Sequence, residues 1–132
     1  MSHRSIDPEG LAKPFGPFTQ VTVARPGTIV HIAGQVALDV DGNIVGEGDI
    51  VAQTRKVMEN MKLALAAAGA DFSHVVKITN YVTDADEYAK IAPIREEYLK
   101  APYPASTLIV VKRLIFPELL IEIEAVAVVP DA

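Results

Sequence analysis

The sequence predicts a two-layer domain of the α+β or α/β class, because β-patterned and helix-patterned segments are mixed along one short chain. Three observations lead to this prediction. The chain has 132 residues, which suits a single domain spanning residues 1–132. Half of the residues are hydrophobic, which is enough for a substantial core. Apolar segments with the character of β-strands are separated by two segments with helical spacing.

Two β-strands are predicted in the first third of the chain, where polar and apolar residues alternate. These strands cover residues 19–26 and 28–38. They follow a polar arm, residues 1–17, that is rich in Pro and Gly and that we expect to be ordered or semi-ordered. Asp41-Gly42, just after the second strand, predicts a hairpin turn.

The clearest helix is predicted at residues 49–70, where apolar residues recur at helical spacing. Asp49 is the expected N-cap, and Gly69 suits the left-handed position that often ends a helix. A β-branched segment, residues 74–84, predicts the next strand. A second helix is predicted at residues 86–101, although the proline within it removes one hydrogen bond and favours a kink.

The C-terminal segment, residues 102–128, contains two apolar β-runs around a short turn with a proline. We interpret it as a closing hairpin. Glu122 and Glu124 lie on one face of its second run, since side chains alternate along a strand. Two such carboxylates suit acid and base roles, or form structural ion pairs with a Lys or Arg of a neighbouring strand.

The predicted elements leave one face of the sheet without a cover. Two helices cover only one face, whereas runs such as TLIVV and IEIEAVAVV are apolar on both. With no third helix in the pattern, another copy of the chain is the simplest cover. The sequence therefore predicts an oligomer.

Composition argues against several functional classes. The net charge of −5 disfavours nucleic-acid binding, which usually requires a basic surface. The absence of cysteine excludes disulfides, thiolate catalysis and Cys-ligated metals, and the three histidines lack the spacing of a metal site. No secretory signal and no apolar run approaching about 20 residues is present. We expect a soluble cytoplasmic protein that binds neither membrane nor metal.

Five segments, in this order and spacing, resemble the YjgF/Rid family of enamine/imine deaminases. They are GPFTQ (16–20), HIAGQ (31–35), VVKITNYVTD (75–84), YPAST (103–107) and IEIEAVAVV (121–129). The resemblance implies an α+β, chorismate-mutase-like fold with one mixed sheet and two helices on one face. It also implies a homotrimer whose sheets face inward, with clefts between the subunits.

The same resemblance implies a hydrolytic deaminase that converts a small 2-enamine or 2-imine acid to a 2-keto acid and ammonia, with no cofactor. Such chemistry needs a cation for the substrate carboxylate and a group that positions water. Glu122 stands at the position of the family's water-positioning Glu, and Gln35 follows Gly34 as in the family. These residues are the predicted catalytic Glu and one substrate-binding residue.

Four positions depart from the deaminase pattern. Ser106 replaces the carboxylate-binding Arg, Phe18 replaces a Tyr, Ala33 replaces a Ser, and Ala92 aligns with an Asn of the second helix. The missing Arg matters most, because a serine supplies a hydrogen bond but no charge. We expect a substrate other than the generic small 2-imino acids, or a trimeric ligand-binding or chaperone-like protein without turnover.

Arg95 is the best candidate to replace the missing cation, because it lies three residues after Ala92 on the same helix face. Lys112 and Arg113 are weaker candidates. His31 shares a predicted strand face with Ala33 and Gln35 and is a further candidate for the binding site. The predicted substrate-binding residues are thus Ser106, Arg95, Gln35, Phe18, Ala33 and His31, with Glu122 as the catalytic residue and Glu124 as a structural one.

Overall fold

The structure, a computed structural model, describes residues 3–131, in which the chain forms strands and helices in the order βββαβαββ. Two single-turn 3-10 helices precede the fourth strand and the second α-helix. The elements are β1 His3–Ile6, β2 Val21–Ala24, β3 Gly27–Gln35, α1 Ile50–Ala67, β4 Val75–Val82, α2 Tyr88–Tyr98, β5 Ala105–Val110 and β6 Ile121–Pro130.

The main sheet has four strands in the order β3-β6-β4-β5. β6 is antiparallel to both of its neighbours, and β4 pairs with β5 in parallel, so the sheet is mixed. Both helices pack on one face of this sheet, around a core that includes Met58, Leu65, Ile91 and Ile123. The predicted α+β class, with a mixed sheet and two helices, is confirmed.

The predicted closing hairpin is wrong. β5 and β6 are consecutive in the chain, but β4 lies between them in the sheet. The connection between them, residues 111–120, is long enough to carry the chain past β4, so the two apolar runs need not pair with each other. Sequence periodicity finds strands but does not show which strands are neighbours.

The N-terminal arm contributes more than the sequence indicated. His3–Ile6 pairs antiparallel with Val21–Ala24 and forms a separate two-stranded sheet beside the main one. The Thr22 hydroxyl donates to the Val76 carbonyl at 2.9 Å, which ties this small sheet to the start of β4. The arm is therefore ordered within the described residues, and it brings the GPF segment, 16–18, against α2.

The predicted helix and turn signals are confirmed where they can be checked. The Asp49 carboxylate accepts a hydrogen bond from the Ala52 amide at 3.1 Å, as an N-cap does. Gly69 follows the C-cap with φ of 72°. Leu38 and Ile44 form a bridge around the turn at Asp41-Gly42. α2 continues through Pro93, which faces solvent.

Candidate active site

A cavity of about 290 Å³ lies between α2, β5 and the GPF segment. We call it the Arg95 cavity. Its polar wall consists of Arg95, Ser106 and Asn80. An Arg95 Nη donates to the Ser106 Oγ at 3.3 Å, and the Asn80 amide donates to the same oxygen at 3.0 Å. Arg95 is only 1% exposed, so this wall buries a cation.

No carboxylate of residues 3–131 neutralises the Arg95 guanidinium. Its Nε is buried and has no hydrogen-bond partner among the described residues. Burial lowers the pKa of Arg95, but an arginine stays protonated in a protein at neutral pH. A buried charge without a partner is costly, which indicates that an anion completes this site.

Ser106 adds a second donor to the polar wall. Its oxygen already accepts two hydrogen bonds, from Arg95 and Asn80, so the hydroxyl hydrogen remains available to a ligand. A carboxylate beside Arg95 and Ser106 would accept from a guanidinium and from a hydroxyl. The site thus offers charge and directed hydrogen bonds to one small acidic group.

The remaining wall of the Arg95 cavity is mostly apolar. It is formed by Phe15, Phe18, Ala85, Tyr88 and Leu108. Phe18, a predicted substrate-binding residue, is among these side chains, and its ring supplies an apolar surface without a hydroxyl. The cavity therefore combines one cationic end with an aromatic body.

The second region of interest is the face of the main sheet that no α-helix covers, which we call the open face. Alternation along β6 turns Ile121 and Ile123 to the helices and Glu122 and Glu124 to the open face. The Tyr81 hydroxyl donates to Glu124 at 2.5 Å. Glu124 is therefore held by a tyrosine, rather than by the Lys or Arg of an ion pair.

Glu122 has no hydrogen-bond donor among the described residues. Burial raises its pKa above the ordinary value of 4.5, and the negative charge of Glu124 raises it further. The carboxylate lies against the backbone of Gly34, where any side chain would overlap its Oε2. Gly34 leaves room for the carboxylate in this position; its φ is not in the left-handed region, so its backbone conformation does not call for a glycine. A carboxylate with a raised pKa and no fixed partner suits proton transfer.

The two regions lie on opposite faces of the sheet within one chain. Ser106 pairs with the core residue Ile78, so it points to the helix side. Glu122 pairs with Tyr81, which has the opposite orientation along β4. A single copy of the chain therefore brings Phe18, Arg95 and Ser106 together but does not bring Glu122 to them.

The shared face predicted for His31, Ala33 and Gln35 is wrong for Gln35. His31 and Ala33 line a depression on the open face together with Glu124. A bulge between Ile32 and Gln35 shifts the register by a residue, and Gln35 then pairs with Ile123 and points toward α1. A bulge reverses the alternation of a strand, and single-sequence patterns do not reveal it.

The alternative cations lie elsewhere. Lys112 and Arg113 are exposed beyond the end of β5, and neither lines the Arg95 cavity. Arg113 donates to the carbonyls of Leu114 and Ile115, which anchors its side chain to the loop. Of the three candidate replacements for the missing Arg, Arg95 alone is in contact with Ser106 in the described part of the chain.

Sequence reasoning missed five residues that line the Arg95 cavity: Phe15, Asn80, Ala85, Tyr88 and Leu108. Asn80 had a usable signal, because it is a polar residue at a core-facing position of an apolar strand. Tyr88 lies two helical turns before Arg95 and shares its face. Phe15 had no signal, since an aromatic residue in a polar arm shows no periodicity.

Residues 3–131 contain no helix whose length and hydropathy suit a membrane span. Within the same residues, no three His, Asp or Glu side chains are grouped closely enough to bind a metal ion.

Comparison with known proteins places this geometry in context. The sequence model of the family described as Endoribonuclease L-PSP matches residues 10–129. A RutC family protein of Pyrococcus abyssi is 37% identical over 127 residues, which cover 96% of this chain and 98% of that protein. Protein DfrA of Myxococcus xanthus is 35% identical and covers 97% of each chain.

Solved structures show the same fold. The YyfB protein of Yersinia pestis, described as a conserved Rid family protein of unknown function, superposes with a TM-score of 0.90 at 41% identity, over 98% of this chain and 100% of that one. RidA from an Antarctic Psychrobacter gives a TM-score of 0.72 at 28% identity, over 89% and 92% of the two chains. The match spans the elements that form both the Arg95 cavity and the open face.

Proposed function

Because the chain belongs to the YjgF/Rid family, whose sequence model is also described as Endoribonuclease L-PSP, we propose that it is a hydrolytic deaminase of an enamine or imine acid. The observation that carries the proposal is the buried Arg95, which no carboxylate neutralises within the described residues. The substrate carboxylate binds there, between Arg95 and Ser106. The products are a keto acid and ammonia.

Glu122 is the proposed catalytic residue. It takes a proton from water as the water oxygen bonds to the imine carbon, and it returns that proton to the substrate nitrogen. Glu122 then takes the hydroxyl proton of the resulting carbinolamine and delivers it to the amino nitrogen, so that the C–N bond breaks, the carbonyl forms and ammonia leaves. The raised pKa of Glu122 brings the group closer to the value that favours proton transfer in both directions near neutral pH.

The opposite orientation of Glu122 and Arg95 requires a second copy of the chain. Three features of the open face support contact with another copy: Ile29 is 61% exposed, Ile109 is 38% exposed, and no α-helix covers them. Large exposed apolar side chains on a sheet face favour association. In the proposed homotrimer, the Arg95 cavity of one subunit faces the Glu122 of its neighbour, and the site lies between them.

Binding without turnover is the second candidate function. It is favoured by one observation: the residues that line the Arg95 cavity include a cation, hydroxyls and an amide, but no carboxylate and no imidazole. Without Glu122 from a neighbour, such a cavity would hold an acid and leave it unchanged. The two candidates therefore differ in the need for a second subunit.

Ribonuclease activity has less support on this chain. The open face carries Glu122 and Glu124, which would repel a phosphate backbone, and the net charge of the chain is −5. The Arg95 cavity, at about 290 Å³, lies at the lower end of the volumes of common ligand sites. We expect a small acid as the ligand, rather than RNA.

The first experiment measures deamination directly. An amino-acid oxidase generates imines from a panel of amino acids, semicarbazide traps them, and the trapping rate is compared with and without this protein. Faster imine loss with ammonia release supports the deaminase. No acceleration across the panel, together with carboxylate binding that depends on Arg95, would instead support binding without turnover.

A subunit-mixing experiment tests the composite site. Arg95→Met and Glu122→Gln chains, each inactive alone, are co-expressed with different tags, and mixed oligomers are purified. Activity should return in about one cleft in three of the purified mixed trimers, because each active cleft needs Arg95 from one variant and Glu122 from the other. If mixed trimers stay inactive while wild-type trimers treated identically are active, the two residues do not share a cleft.

A further inference from the structure

The aromatic residues of the Arg95 cavity form a connected group. The rings of Phe15 and Phe18 meet edge to face, with centroids 5.3 Å apart and an interplanar angle of 76°. Phe15 meets Tyr88 in the same manner, at 6.0 Å and 73°. Edge-to-face contacts of this kind hold rings in defined orientations. The apolar half of the cavity is thus an ordered aromatic surface.

The contact between the GPF segment and α2 fixes this group in place. The Tyr88 hydroxyl lies against the backbone of Gly16, where any side chain would overlap it. Gly16 therefore allows the segment to approach α2 closely enough for Phe15 and Phe18 to reach the cavity. The two segments fit each other at the cavity rim.

Phe15 nevertheless remains 82% exposed. A phenylalanine that has two ring neighbours and still exposes most of its surface gains little from the fold itself. It gains more if an apolar group enters the cavity and covers one of its faces. A ligand with an apolar body would supply this cover.

We infer that the Arg95 cavity selects a small acid with one planar, apolar ring: an aryl-substituted 2-imino or 2-enamino acid, or the matching keto acid. The carboxylate binds Arg95 and Ser106 at the polar end, and the ring packs on Phe15 and Phe18. The cavity volume of about 290 Å³ lies just below the range for drug-sized ligands, which suits a single ring with a short acidic chain.

The inference rests on the proposed function only for the reaction that the bound acid undergoes. The selectivity for an aryl acid is a property of binding and does not depend on that reaction. It can therefore be measured with compounds that cannot react. Three probes separate the two ends of the cavity: 3-phenylpropanoate has both the ring and the acid, propanoate has the acid alone, and 3-phenylpropan-1-ol has the ring alone.

Titration calorimetry on the full chain measures the three affinities. We expect 3-phenylpropanoate to bind at least about tenfold more tightly than either of the other two, since one aromatic contact and one charged contact each contribute on that scale. Equal affinities for 3-phenylpropanoate and propanoate would overturn the inference. Tighter binding of the alcohol than of the acid would also overturn it.

Variants identify the ring contacts. Phe18→Leu and Phe15→Leu should each weaken 3-phenylpropanoate binding several-fold and leave propanoate binding unchanged. Phe116→Leu is the matched control, because Phe116 is a partly exposed phenylalanine that does not line the cavity. The inference is wrong if Phe116→Leu weakens 3-phenylpropanoate binding as much as Phe15→Leu and Phe18→Leu do. It is also wrong if neither Phe15→Leu nor Phe18→Leu changes the ratio of the affinities for 3-phenylpropanoate and propanoate.

The outcomes separate this inference from the proposed function. Ring-selective binding of acids without deamination of any imine would keep the inference and reject the deaminase. Deamination of imines from alanine and phenylalanine with the same kcat/KM would keep the deaminase and reject the ring selectivity.

Discussion

The Arg95 cavity and the open face differ in the sign of the charge that each leaves without a partner. The cavity buries a guanidinium and contains no carboxylate among the described residues. The open face places Glu122 beside Glu124, and neither forms a salt bridge within that part of the chain. A fold that only needed stability would pair these charges or remove them.

In the proposed deaminase, the two regions supply different parts of the reaction. Binding an acid needs a cation, and activating water needs a base whose pKa has not been lowered by that cation. Within one chain, the sheet separates the two residues, and the raised pKa of Glu122 has no contribution from Arg95. In the proposed homotrimer, the substrate would lie between the Arg95 of one subunit and the Glu122 of the next.

The largest expected effect comes from Glu122→Gln on the open face. The variant keeps the size of the side chain and loses its proton transfer, so kcat should fall by about 10²–10⁴-fold. Affinity for a carboxylate ligand should stay the same, because Arg95 is unchanged. Single-turnover kinetics and calorimetry measure the two effects separately. A variant with wild-type kcat would remove Glu122 from the mechanism.

The same variant has a predicted effect on stability. The raised pKa of Glu122 means that its contribution to stability is complete below its unfolded value of 4.5 and is lost as pH rises through the folded value. Gln stays neutral throughout. Glu122→Gln should therefore unfold at a higher denaturant concentration than wild type at pH 7, with the difference disappearing below about pH 4.5.

Arg95→Met tests the other side of the comparison. We expect affinity for carboxylate ligands to fall by about 100-fold, since one partner of a buried charged contact is removed. The free protein should become more stable by about 1–4 kcal/mol, the range found when buried charges are replaced by apolar side chains. Thermal unfolding with and without 3-phenylpropanoate measures both changes.

Arg25→Met is the control for Arg95→Met, because it removes one positive charge from an exposed position outside the cavity. It should change neither ligand affinity nor stability to a comparable degree. Arg95→Met that is less stable than wild type without ligand would mean that Arg95 has a structural partner and is not reserved for a ligand.

The sequence predicted the elements of this fold better than their arrangement. Asp49 and Gly69 define the ends of α1 through local hydrogen bonding and backbone conformation, which depend on adjacent residues only. The position of β6 between β3 and β4, and the bulge that turns Gln35 toward α1, depend on contacts between distant segments. No periodicity in a single chain encodes those contacts.

The candidate site shows the same limit. Spacing from Ala92 identified Arg95, but an arginine on a helix is usually exposed, and its near-complete burial is a property of packing. Ser106 pairs with Ile78 of β4, and Glu122 pairs with Tyr81. Ser106 and Glu122 lie apart because these two residues of β4 point to opposite faces of the sheet. The sequence could therefore suggest the chemical groups of the site, but not that one chain holds them apart.

The smallest predicted effect sharpens the role of Glu124. Glu124→Gln removes the negative charge beside Glu122 and should lower the pKa of Glu122, so the acidic limb of the kcat–pH profile should move to lower pH. Burial is the larger cause of the raised pKa, and the shift should reverse only in part.

Tyr81→Phe is the control, because it removes the hydrogen bond to Glu124 but keeps the charge. His31 and Lys77 also border this face and are unchanged in both variants. If the acidic limb moves equally in Glu124→Gln and Tyr81→Phe, its position depends on how the Glu124 side chain is held, and not on the charge of Glu124.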